Sequence, residues 1–208
     1  NVGWIQKGSL SIATTPDRLI HVKRQEALAH AYGIEAQSIS AGEATEIWPL
    51  MNAEDVLGAV WSPNDGRVSP SDVCAALVKA ARGLGAKLFE KTGVTGILTE
   101  NGRIKGVETT QGTVMCEAIA LCTGLWSREV GAMAGAEVPV LACEHFYLLT
   151  KPIDGITGNM PTLSDHDSQL YIRDDSGGLL VGCFEPIGKP IAPGILDGTF
   201  EFGLLPED

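Results

Sequence analysis

The chain has 208 residues, 44% of them hydrophobic, with 25 glycines and a formal net charge of −11 at pH 7. That balance describes a globular α/β or α+β protein with a sizeable core, in one domain or two small ones. It argues against nucleic acid, which needs a positive stripe where this chain has nothing longer than Lys23-Arg24, and against a membrane span, for which no apolar stretch is long enough.

The chain opens on "NVGWIQKGSLSIA", a strand-type alternation already under way, and ends as abruptly on "TFEFGLLPED". A piece cut from a longer protein is expected, with no leader in view. "TTPDRLIHVKRQEALAHAYG" predicts a helix over 16–32: Thr15 precedes Pro16 at the first helical position, and Gly33 closes it. "SAGEATEIWP" carries a capping box, Ser40 with Glu43 three residues on, opening a short helix that Pro49 ends. "VSPSDVCAALVKAARGLGA" predicts the best helix. Ser69 caps it, Pro70 starts it, Asp72 favours its positive end, and Val73, Leu77, Ala80 and Leu84 form its apolar stripe.

"AKLFE" then predicts a short strand. Residues 94–122 predict a meander with turns at Asn101-Gly102 and Gln111-Gly112, since Asn-Gly between apolar runs is a strong hairpin signal. "IALCTGLWSREVG" reads as a buried strand, a small-residue corner and the first turn of a helix. Further on, "PVLACEHFYLLTKPI" and "SQLYIRDDSGGLLVGCFEP" predict strands, the second pair joined by a turn over Asp174–Gly178. The segmentation expected is 1–68, 69–136 and 137–208, with the chain leaving one domain, visiting another and returning.

Five cysteines (Cys74, Cys116, Cys122, Cys143, Cys183) form no CxxC, and four scattered histidines add no metal spacing, so no metal is expected. Buried free thiols in a reducing, intracellular compartment are the expectation. GxGxxG, the P-loop, GxSxG and HExxH are all missing; "GLG" at 83–85 lacks the third glycine and follows a helix.

"GWIQKGSLSIATTPDRL", "WPLMN", "GAVWSPNDGRVSPSDVCAALVKAARGLGAKLFEKTGVTGI", "ALCTGLWSREVGAMAG", "VPVLACEHFYLLTKPI" and "LYIRDDSGGLLVGCFEP" closely resemble the sarcosine and dimethylglycine dehydrogenase family. These are FAD-dependent, D-amino-acid-oxidase-like amine oxidoreductases, and the resemblance runs nearly end to end. It implies an α+β or α/β fold. Residues 69–136 would be part of an FAD-binding domain (helix, strand, β-meander, strand, helix), and the flanks a mixed-sheet substrate domain. Family members are longer on both sides. There the resemblance places the main phosphate loop, a flavin-linking histidine and, in many members, a tetrahydrofolate-binding region. Weak or no FAD binding, and no turnover, are expected of the 208 residues alone.

The resemblance also implies site residues. Val94 matches a position whose backbone reads the adenine. Cys122, Thr123, Gly124 and Trp126 match the corner that approaches FAD, where compact side chains let backbone come close. Trp126 is also readable as a core aromatic behind a helix start. His145 and Tyr171 match the catalytic pair, a neutral imidazole taking the amine's proton and a hydroxyl orienting it. By residue type alone they are also a structural strand histidine and a surface tyrosine. Tyr147, two residues on, should share the face of His145. Arg173 reads as a carboxylate contact or as a salt-bridged strand arginine, and Glu185 ends a strand close by. The partner implied is a small N-methyl amine, with the electron acceptor open, in bacterial cytoplasm or mitochondrial matrix. "LACEHFYLLT", "YIRD" and "GGLLVGCFEP" resemble the regulatory subunit of pyruvate dehydrogenase phosphatase as much as they do the enzymes, which implies the alternative of a non-catalytic interaction protein.

Overall fold

The opening alternation folds as β1 (Ile5–Gln6) and β2 (Ser9–Ala13), and Thr15 then caps α1 (Pro16–Ala31). The Thr15 hydroxyl accepts the Arg18 N–H at 3.2 Å, Pro16 fills the first position where no N–H partner is needed, and Gly33 leaves the helix at φ +71°. β3 (Gln37–Ile39) leads to α2 (Ala41–Ile47), whose capping box is complete: the Glu43 N–H donates to Ser40 Oγ and the Ser40 N–H to Glu43 Oε2. β4 (Gly58–Ser62), β5 (Gly66–Arg67) and α3 (Pro70–Gly83), capped by Ser69, follow. The meander is β6 (Val94–Glu100), β7 (Arg103–Thr109) and β8 (Gly112–Met115), turning at Asn101 and Gly102, both at positive φ. A 3₁₀ turn, Gly124–Trp126, runs into α4 (Ser127–Ala132). β9 (Tyr147–Leu149), β10 (Thr162–Asp165), β11 (Leu170–Asp175) and β12 (Gly178–Cys183) complete the order.

The structure, a computed structural model, describes residues 2–191; the closing "TFEFGLLPED" and the expected segment beyond 191 lie outside the described residues. The chain divides into two units, Asn1–Ala86 with His145–Pro186 and Lys87–Glu144 with Ile187–Asp208. In the first, seven strands form a mixed sheet in the order β3-β4-β2-β10-β11-β12-β9, parallel only between β2 and β10. This is the mixed sheet expected. β1 and β5 form a separate ribbon, tied to the sheet through buried Asp174. Its carboxylate meets Lys7 Nζ at 3.5 Å and Arg67 Nη2 at 3.2 Å. The second unit holds the meander and α4.

Side chains alternate across the sheet, so each face has its own cover. Leu10, Ile12, Ala59 and Leu163 pack on one face with Ala44 and Trp48 of the α2 region, Val56 and Met160. There the Trp48 indole N–H donates to the Pro161 carbonyl at 3.0 Å. On the other face α1 brings Val22 and Leu19 against Ala13 and Val60. Burying a side chain such as Leu10, which is fully enclosed, contributes about 2 kcal/mol. α1 covers the β2, β3 and β4 end of that face. The β11-β12-β9 end carries the candidate site.

Three expectations fail for one reason, the lack of a neighbour. Residues 86–90 form no strand, and Leu88 and Phe89 are exposed. Residues 119–122 form no strand, and Leu121 is exposed, so the expected buried strand is missing before the corner. A strand needs a partner ladder, and among the described residues neither segment has one. Nor is the α3 stripe buried: Leu77 and Leu84 are exposed, and no α3 residue is enclosed. The cysteines follow suit. All five are free as expected, but Cys74, Cys122, Cys143 and Cys183 are exposed and Cys116 is half-buried. No helix of the described residues is long and apolar enough to cross a membrane.

Candidate active site

One cross-strand row runs through all seven strands of the mixed sheet: Ser38, Val60, Ser11, Ser164, Tyr171, Gly182, Tyr147. Direct partners in a row share a face. The α1 end of the row is small and apolar or hydroxylic, and the far end is aromatic. Gly182 sits between two tyrosines, and a Cβ there would overlap the Tyr171 ring, so the glycine is what lets that ring lie across β12. Tyr147, half exposed, shares this face.

Phe184, just past β12, is held by its N–H to the Gln169 carbonyl at 2.8 Å. Its ring lies 5.5 Å from His145 at 25° and 5.4 Å from Tyr171 at 46°, with His145 and Tyr171 6.4 Å apart at 23°. Such offset packing fixes ring planes as well as burying area. His145 lies two residues ahead of β9 rather than within a strand, because pairing to β12 begins only at Tyr147. What holds it is Glu185: His145 Nδ1 is 3.3 Å from Oε2, and the Phe146 N–H donates to Oε1 at 3.3 Å. The Glu185 pKa is lowered, first by its own backbone N–H, then by His145 and Phe146, against an opposing effect of burial.

Arg173 lies one row away on the Tyr171 face, where its guanidinium meets the Asp175 carboxylate at 2.9 Å. Gly182 and Phe184 are the residues that sequence reasoning passed over. Counting back from the Ser176-Gly177 turn pairs 171 with 182, a signal that was available once the turn was placed.

In the other unit the remaining predicted residues lie on the meander edge and the corner. Gly93 turns both backbone groups inward: its carbonyl accepts the Thr110 N–H at 2.9 Å and its N–H donates to Thr110 Oγ1 at 3.1 Å. Strand alternation therefore points the N–H and C=O of Val94 out from β6, an edge strand of its sheet among the described residues. At the corner Cys122 is exposed, and the Thr123 hydroxyl donates to Ser127 Oγ at 3.2 Å. Gly124 takes φ +54°, where an added Cβ would meet nothing within 4 Å. Half-buried Trp126 ends the 3₁₀ turn. An outward donor-acceptor pair at Val94 and an open backbone corner at Thr123-Gly124 fit an adenine and a ribose or phosphate group. The residues present are compatible with a dinucleotide cofactor. Among the described residues, no group of three or more His, Cys, Asp or Glu could hold a metal.

A family model described as DAO, FAD dependent oxidoreductase, matches residues 1–202. The chain is 38% identical over 213 residues to mitochondrial sarcosine dehydrogenase of Mus musculus, covering 100% of this chain and 23% of that protein. It is 41% identical over 193 residues to the mitochondrial pyruvate dehydrogenase phosphatase regulatory subunit of Mus musculus, covering 91% of this chain and 22% of that one. It thus spans less than a quarter of the length of these two relatives. Among solved structures, L-proline dehydrogenase from P. horikoshii superposes with a TM-score of 0.78 at 30% identity, covering 86% of this chain and 48% of that chain.

Proposed function

The chain belongs to the FAD dependent oxidoreductase family, and on that premise we propose that it is part of an enzyme that oxidatively demethylates a small N-methylated amino acid of the sarcosine or dimethylglycine type. The observation that carries this reading is the His145–Phe184–Tyr171 cluster on the sheet face beyond α1. FAD, when bound, supplies the two-electron acceptor for a hydride from the N-methyl carbon. In this reading Val94, Cys122, Thr123, Gly124 and Trp126 hold parts of it.

A methylated amine is protonated in water, and only its neutral nitrogen can release hydride from the adjoining carbon. His145 takes that proton, and the Tyr171 hydroxyl orients the amine. Phe184 and Tyr147 supply apolar ring surface beside them. Arg173, shared with Asp175, is available to a substrate carboxylate only by exchange of that partner. The oxidised carbon passes to water or, in a longer protein with a folate-binding region, to tetrahydrofolate. The setting proposed is the mitochondrial matrix or bacterial cytoplasm.

The test uses the full-length protein, mixed anaerobically with sarcosine and separately with dimethylglycine while the visible flavin band is followed. Bleaching by either supports the reading, and the faster names the substrate. His145→Gln should then slow bleaching roughly 10²–10⁴-fold, the range for loss of a general base. A second reading rests on the 41% identity to the phosphatase regulatory subunit: a non-catalytic interaction protein on the same framework. A colourless full-length protein would favour it.

A further inference from the structure

We infer that Glu185 is the positioning residue of His145: its carboxylate holds the proton on Nδ1 and leaves Nε2 as the acceptor of the ring. The geometry is that of a clamp on two consecutive residues. Oε2 lies 3.3 Å from His145 Nδ1, and Oε1 accepts the Phe146 N–H at 3.3 Å, so the imidazole cannot slide along the chain without breaking a second bond. From the side, Phe184 stacks on the imidazole at 25° and sets its plane. Phe184 is in turn pinned by its N–H to the Gln169 carbonyl and packed on Tyr171.

An ionised carboxylate can only accept hydrogen bonds, so the nitrogen facing it must be the donor. Glu185 is kept ionised, because its own backbone N–H, His145 and the Phe146 N–H together outweigh the effect of burial. In a neutral imidazole with the proton on Nδ1, the lone pair is on Nε2. The chemical consequence rests on the amine-oxidation reading above. The substrate N–H bond breaks, an Nε2–H bond forms, and the resulting imidazolium sits beside the Glu185 carboxylate. The tautomer itself does not depend on that reading.

The test is made on full-length protein carrying 13C-labelled histidine, with His145→Gln identifying the resonances. Ring carbon shifts should report the neutral side chain as the Nδ1–H tautomer. Glu185→Ala should convert it to a mixture of the two tautomers, and Glu185→Asp should keep the proton on Nδ1. Flavin reduction should fall roughly 10–100-fold in Glu185→Ala, with KM changed far less than kcat and a partial recovery in Glu185→Asp. An Nε2–H tautomer in the unsubstituted protein overturns the inference, and so does a tautomer unchanged in Glu185→Ala. The first of these measurements needs no variant to fold. Failure of any N-methyl amine to bleach the flavin overturns the functional reading instead, while the tautomer still decides this one.

Discussion

Tyr171 lies across β12 because Gly182 has no side chain there, and the two are partners in one cross-strand row. Gly182→Ala must therefore move the ring or the strand. In the full-length protein the substitution should lower stability by about 1–3 kcal/mol, as overpacking does. It should also slow flavin reduction, since Tyr171 would leave its place beside Phe184. Urea unfolding and anaerobic reduction read the two effects, and a variant equal to the parent in both would refute the packing argument. Glycine and ring are eleven positions apart in sequence, so residue type alone does not pair them. The hairpin register does. The resemblance singled out His145 and Tyr171 as candidates, whereas the Glu185 contact needed the carboxylate to be brought to Nδ1 by the chain after β12.

α1 shows how an element is anchored from far away. Asp167, in the turn between β10 and β11, accepts from the Thr14 N–H and hydroxyl, the Thr15 hydroxyl and Arg18 Nε, all within 3.0–3.2 Å. Burial opposes ionisation of Asp167, but these bonds outweigh it and lower its pKa from the ordinary 3.8. A depressed carboxylate contributes stability that is fully present above its unfolded pKa and is lost as pH falls through the folded one. Asp167→Asn should therefore be less stable than the parent at neutral pH, and the gap should narrow only as pH falls below about 4, the unfolded value, and on through the lower folded one. Urea midpoints across that range test it, and a constant gap would show that the bonds do not depend on the charge. Helices and turns such as these were readable because their signals are local: Thr15 and Pro16, Ser40 and Glu43, Ser69 and Pro70, Asn101 and Gly102. The segments 86–90 and 119–122 were misread because a strand exists only where another strand meets it.

At the scale of the molecule, the chain leaves the sheet unit after Ala86, forms the meander unit, and returns at His145. In the proposed reading its Val94 edge and Thr123-Gly124 corner hold parts of FAD, but no GxGxxG loop occurs in the 208 residues. The isolated chain should therefore bind FAD far more weakly than the full-length protein, and should not turn over. Equilibrium dialysis decides: a Kd near or below about 1 μM for the chain alone, roughly −8 kcal/mol, would mean that these residues suffice. The sequence by itself determined the helices with their caps, the meander and the family, because each is written in neighbouring residues or in blocks kept in order. Only the tertiary structure decided which apolar runs are covered. It alone gave Arg173 to Asp175 and brought Glu185 to His145. Burial and pairing are properties of what a segment meets, and residues distant in sequence meet only once the strands are in register.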